Sequence, residues 1–163
     1  MQNDGSINSH YIHGSSAEEQ QRLSLLNRLM NRACLQTIQL QGDERILDMG
    51  SGLGQFDLAV AETDNFRGSM LGIERDEQQL ATAQKNLSTA PFDNIEFRQG
   101  NAFHPPLTAE EWGNFDLAHT RFLLEHVPQP QRVVQQMYRA VRPGGRLVLI
   151  DEDHDIFRIW PDA

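Results

Sequence analysis

Between Ile46 and Phe56 the chain reads ILDMGSGLGQF, an apolar run followed by Asp48 and by glycines at positions 50, 52 and 54. Alternating glycines free the backbone for angles that side chains resist and let another molecule lie against the main chain. The helix that starts after them points unpaired amides the same way. Twenty residues beyond Gly54, the run SMLGIE ends in Glu74. There a carboxylate can accept hydrogen bonds from the hydroxyls of a ribose. A glutamate ending a strand is usually just solvated and glycine triplets occur in ordinary turns. Their joint placement is what points to a nucleoside-like ligand. His104, His119 and His126 are the imaginable bases, but a histidine in a loop or at a helix start is more often structural, so no catalytic residue is assigned. The run DEDHD at Asp151 to Asp155 gathers oxygen and imidazole donors. Neighbours on an extended chain point to opposite faces, and hard cations draw ligands from several segments, so the run reads as a solvated strand end and no metal is expected.

The elements that must position these residues alternate in type. A helix is expected from Ser15 to Leu35, with Leu23, Leu26, Met30 and Ala33 inward and a capping box from Ser15 with Glu18 or Ser16 with Glu19. RILDMG is a strand, and GQFDLAVAE a helix with Phe56, Ala59 and Val60 on one face. SMLGIE is a second strand, DEQQLATAQKNLS a helix with Leu80, Ala83 and Leu87 inward, and NIEFRQG a third strand. A short turn in TAEEWGN leads to a fourth strand centred on Phe115 to Ala118. HVPQPQRVVQQMYRAV is a helix with a stripe of Val134, Met137, Tyr138 and Val141, stopped by RPGG. RLVLI, apolar throughout its centre, reads as a fifth strand covered on both faces. Strands alternating with helices predict an α/β fold: a doubly wound, mainly parallel, Rossmann-like sheet with an extra helix in front.

The 163 residues suit one domain, with 39% hydrophobic content and no apolar run long enough to span a bilayer. No leader pattern is visible, and the simplest expectation is a cytoplasmic protein. Cys34 is the only cysteine, which excludes an internal disulfide and a cysteine-rich zinc site. A net charge of -9 and the lack of a basic stripe argue against nucleic acid and against an anionic membrane surface.

From about Arg45 to Asp151 the ordered set resembles the class I S-adenosylmethionine-dependent methyltransferases. Asp48, Gly50, Gly52 and Gly54 match that family's acid-x-Gly-x-Gly-x-Gly loop, Glu74 its ribose acid, and RAVRPGGRLVLID and FDLAHTRFLLEHVP its fifth and fourth strand regions. The N-terminal YIHGSSAEEQQRL is similar to a lid segment of members that methylate small molecules. The resemblance implies S-adenosylmethionine as cofactor, S-adenosylhomocysteine as product and a small-molecule methyl acceptor. It also implies that Gly50, Ser51 and Gly52 line the methionine end, Glu74 holds the ribose and Arg75 flanks the adenine. Asn101, beside Ala102, stands where the family commonly has an aspartate facing the adenine amino group. His119, Thr120 and Arg121 approach the methionine group, and Tyr11 closes over it.

The family normally continues with a helix and two more strands, whereas DEDHDIFRIWPDA leaves no room for them. The expected organisation is one methyltransferase domain: a lid and helix over 1–40, a cofactor core over 41–151 and a truncated tail over 152–163. The fifth strand would then be an edge, with Ile156, Phe157, Ile159 and Trp160 nearby, open to homodimer pairing. Two alternatives are a non-catalytic fragment that binds S-adenosylmethionine or a protein partner, and a nicotinamide-dependent oxidoreductase. The latter is disfavoured because Gln55 stands where its fingerprint wants glycine or alanine.

Overall fold

The computed structural model describes residues 17–152. Tyr11, Ser15 and Ser16, and the apolar tail residues Ile156, Phe157, Ile159 and Trp160, lie outside the described residues, as do Asp153 to Asp155. The elements run α1 (Ala17–Ile38), β1 (Arg45–Met49), α2 (Gln55–Ala61), β2 (Ser69–Glu74), α3 (Glu77–Ser88), β3 (Ile95–Gln99), β4 (Phe115–Arg121), a 3-10 turn (Leu124–His126), α4 (Pro130–Ala140) and β5 (Val141–Ile150). All four strand pairings are parallel, in the order β3-β2-β1-β4-β5. The strand order reverses between β1 and β4, and in such sheets the crevice outside the carboxyl ends at that point is where ligands bind. The α/β expectation holds, and Gly50 to Gly54 lies at that crevice.

The central strands are buried on both faces, and the two-residue period of a strand sorts their side chains between two cores. Ile46 of β1, Leu117 of β4 and Phe97 of β3 pack with Cys34, Ile38, Phe56, Val60 and Leu80. Leu47 and Met49 pack on the opposite face with Leu71, Ile73, Val133 and Met137. Asp48 and His119 therefore share the face of Ile46 and Leu117, the one covered by α2. The helix starts follow local chemistry. Asp76 caps α3 by accepting from the amides of Gln78 and Gln79, both at 2.9 Å, and Pro130 opens α4, where a missing N–H costs nothing.

Three expectations on packing are corrected. Among the described side chains of α1 the buried ones are Asn31, Cys34 and Ile38, whereas Ala33 is exposed and Met30 half-buried; the side chains of Leu23 and Leu26 lie outside those described. The helix continues to Ile38, so its last turns set the docking face, and Asn31 is admitted to that face because it has polar partners there. In α4 the stripe is Val133, Met137 and Ala140, while Tyr138 is 72% exposed and Val141 already belongs to β5. Val133 and Val134 make either phase equally periodic, and the face that meets the sheet is the one with Val133, Met137 and Ala140. In α2 the inward set is Phe56, Asp57 and Val60, with Ala59 only half-buried.

The RPGG segment does not precede β5 but is absorbed into it. The ladder pairs Phe115 with Val141 and then Leu117 with Arg146, so Arg142 to Gly145 bulge out of register. Nor is β5 covered on both faces. Its residues are half-buried or exposed, Leu149 at 45%, and among the described residues it pairs only with β4.

Candidate functional site

The first turn after β1 is built by positive backbone angles, with φ of 83° at Gly50, 57° at Gly52 and 69° at Gly54. The three glycines are bare for different reasons. A methyl group on Gly54 would stand 2.5 Å from Cζ of Phe97, so that position makes room for the protein's own core. At Gly50 the neighbour is the Leu123 side chain, 3.3 Å away. At Gly52 the only neighbour is the flexible amide end of Gln79, 3.3 Å away. Gly52 is thus the place where the backbone is open to an approaching molecule.

Glu74 anchors this loop. Its carboxylate accepts from the amide of Gly52 at 2.9 Å through Oε2 and from that of Asp76 at 2.8 Å through Oε1. Each oxygen keeps a second lone pair, so the group can still receive hydroxyls. The amides of Gly50 and Ser51 both turn inward to the carbonyl of Ile73, at 2.8 and 3.2 Å. The next residue, Arg75, is exposed at the rim, as are Asn101 and, less so, Ala102. The Asn101 side-chain oxygen already accepts the amide of Phe103 at 2.9 Å, which leaves it one lone pair for any ligand.

The residues at the end of β4 are engaged with the protein. Thr120 is fully buried and its hydroxyl donates to the Met49 carbonyl at 2.7 Å, tying β4 to β1. Arg121 turns to α1, donating to Asn31 Oδ1 at 2.6 Å and lying over the Phe56 and Phe122 rings. Asn31 in turn donates to the Gln55 carbonyl at 3.2 Å, so α1 grips both β4 and the start of α2. Phe122 has a φ of 54°, an angle that non-glycine residues rarely adopt. It sits directly after β4 at the crevice. His104 and His126 are exposed.

His119 was one of the imaginable bases, and the structure encloses it completely. Asp48 and His119 are register partners across β1 and β4, and the imidazole Nδ1 donates to Asp48 Oδ1 at 2.9 Å. Phe56 stacks on the ring with centroids 4.4 Å apart. From α2 comes a third group that sequence reasoning missed: Asp57, with no exposed surface. Its place within an apolar helical face was the signal available. Burial, and then the adjacent Asp48 charge, push the Asp57 carboxyl well above the ordinary carboxylate range.

A raised carboxyl stabilises the fold only while it is protonated. Stability is expected to fall as pH rises from the unfolded value of about 3.9 through the raised native one, by at most about 1.4 kcal/mol per pH unit for one proton. Above about pH 5 the salt-bridged carboxylates, such as Glu111 held down by Arg98, are ionised in both states and add no slope. Asp57→Asn should therefore gain stability relative to the parent progressively with rising pH, read from urea midpoints at several pH values; parallel pH profiles would refute the assignment.

Among the described residues, no three His, Cys, Asp or Glu side chains group to hold a metal ion, and no helix is long and apolar enough to cross a membrane.

A parallel sheet with an opened glycine turn at its switch point, and a carboxylate tied to that turn from the neighbouring strand, defines a Rossmann-like α/β fold. Residues 40–159 match the methyltransferase domain family model, and the chain belongs to that family. It is 32% identical over 118 residues to a demethylmenaquinone methyltransferase of Lactococcus lactis, covering 72% of this chain and 46% of that protein. It is 30% identical over 108 residues to an arsenite methyltransferase of Halobacterium salinarum, covering 66% and 27%. Among solved structures, phosphoethanolamine N-methyltransferase 2 of Haemonchus contortus, in complex with S-adenosylhomocysteine, shares the fold with a TM-score of 0.66. The identity there is 22%, over 74% of this chain and 28% of that one. The chain spans about half the length of the curated relatives it matches first.

Proposed function

We propose that this chain binds S-adenosylmethionine and transfers its methyl group to a small-molecule acceptor. The single observation that carries the reading is the Gly52–Glu74 contact, a glycine with open space beside it and a carboxylate with spare lone pairs, joined at the sheet's switch point. The relatives support the class of acceptor, since their named substrates are small molecules as different as a quinone and arsenite. The sulfonium cofactor supplies an already activated methyl group when bound. What the chain's own residues do is hold the sugar through Glu74, present open backbone at Gly52 and exclude water. Gly50, Ser51, Gly54, Arg75, Asn101, Ala102 and the ends of β1 and β4, with Asp48, Thr120 and Arg121, complete the proposed surroundings, and Tyr11 the lid.

Calorimetric titration should show saturable binding of S-adenosylmethionine and S-adenosylhomocysteine and none of NAD. Labelled methyl donor with a panel of small acceptors should then show turnover. Binding of NAD alone would overturn the reading. The same reading treats 1–163 as one methyltransferase domain, acting in the cytoplasm. It also has β5 pair with a second copy through its half-exposed edge, and light scattering that finds only monomer would remove the pairing.

A further inference from the structure

Four buried side-chain polar atoms among the described residues have no hydrogen-bond partner: Ser51 Oγ, both carboxyl oxygens of Asp57, and His119 Nε2. Three of the four, on Asp57 and His119, belong to one cluster around Asp48 below the glycine loop. Buried polar groups are nearly always paired, so such a concentration calls for a physical reason. Asp57 shows what it is. Its carboxyl faces that of Asp48, and two carboxyl groups, each only an acceptor when ionised, can bond only through a shared proton.

The surroundings leave the cluster poised. From β1 comes Asp48, already accepting from His119 of β4. Arg121, also of β4, is the cation close enough to act on Asp57, but its guanidinium donates to Asn31, touches Cys34 and lies over rings. Phe56 closes the remaining side over His119. One cation not bonded to two facing carboxyls leaves a second positive charge to decide whether the shared proton stays.

We propose that the Asp57 carboxyl, buried against Asp48 beside His119, holds one exchangeable proton and releases it to solvent when a sulfonium-bearing cofactor is bound at the loop. The inference rests on the S-adenosylmethionine reading above. In the release, the Asp57 O–H bond breaks, its electron pair stays on the carboxylate and the proton passes to buffer. The demethylated product has lost the sulfonium charge, so the cluster keeps its proton when that product is bound. Asp57 acts through Asp48 and the loop, and is a positioning residue that distinguishes cofactor from product by charge.

The test is calorimetry of the full chain with S-adenosylmethionine and with S-adenosylhomocysteine, each in pairs of buffers of low and high ionisation heat at matched pH values across the range in which the chain stays folded, where the difference in binding heat counts protons exchanged. The sulfonium ligand should release about one proton at the maximum, and its affinity should rise with pH by up to about tenfold per unit, while the thioether product shows neither effect. Asp57→Asn should bind S-adenosylmethionine without the buffer-dependent heat. Equal proton release with both ligands, buffer-independent heats throughout, or release retained in Asp57→Asn would each overturn the proposal and leave the cofactor reading standing. If Asp57→Asn does not fold, the comparison of the two ligands on the parent chain decides alone. Failure of the parent to bind either ligand overturns the cofactor reading, and the proposal with it.

Discussion

Glu74→Ala is expected to weaken S-adenosylhomocysteine binding by about 100-fold or more, while Glu74→Gln falls between it and the parent. The carboxylate does two things at once. It accepts from the amides of Gly52 and Asp76, and it offers its remaining lone pairs to sugar hydroxyls. Hydrogen bonds to a charged group contribute about 1.5–3 kcal/mol each, so losing two from a ligand corresponds to roughly two to four decades in affinity. Alanine also leaves the amides at Gly52 and Asp76 without their acceptor, which loosens the turn that must be open. Glutamine keeps one acceptor oxygen and turns an N–H toward the other amide, so one of the two anchors survives. Titration with S-adenosylhomocysteine measures the ladder, and thermal melts of the same variants separate loss of the turn from loss of the fold. Unchanged affinity in Glu74→Ala would remove the proposed sugar contact.

The largest loss of stability is expected at a glycine far from the crevice. In Gly68→Ala the new methyl carbon would lie 1.9 Å from the Glu44 carbonyl oxygen and 2.8 Å from two further backbone atoms of that residue. No side-chain rotation relieves a clash with backbone. The same carbonyl accepts the Ser69 amide at 3.0 Å, and the Gly68 amide donates to Gly42 at 3.0 Å, so neither strand entry can shift freely. Overpacking of this kind costs about 3 kcal/mol or more, which in a chain of this size lowers the melting temperature by roughly 10 °C. Gly113→Ala is the control. Nothing stands within 4 Å of its added methyl, but its φ is 72°, so only backbone strain of about 1 kcal/mol applies. Equal losses at the two positions would show that the backbone around Gly68 and Glu44 gives way and that the clash costs little.

The order of elements, the glycine turn and the acid at the end of β2 were legible because each depends on local chemistry. Short apolar runs make doubly covered strands, Asp76 caps a helix, and positive φ angles at Gly50, Gly52 and Gly54 suit residues without a Cβ. Which apolar stripe of a helix faces inward was less legible. Val133 and Val134 support two phases of α4 equally well, and the choice waits on the sheet that the helix meets. The RPGG run shows the same limit. As a local signal it ends a helix, but pairing with β4 drew it into the ladder as a bulge.

The chain's own residues determined that strands and helices alternate, and that a bare turn and a carboxylate meet at adjacent strand ends, because backbone stereochemistry and hydrophobic period act over a few neighbours. Only the tertiary structure decided that Gly54 is bare for Phe97, that Arg121 reaches α1, and that Asp48, Asp57 and His119 close into one buried cluster. Those contacts depend on strand register and helix docking, which join residues up to 90 positions apart. No local pattern encodes that register, since shifting a strand by one residue would preserve every propensity while turning Asp48 to the other face.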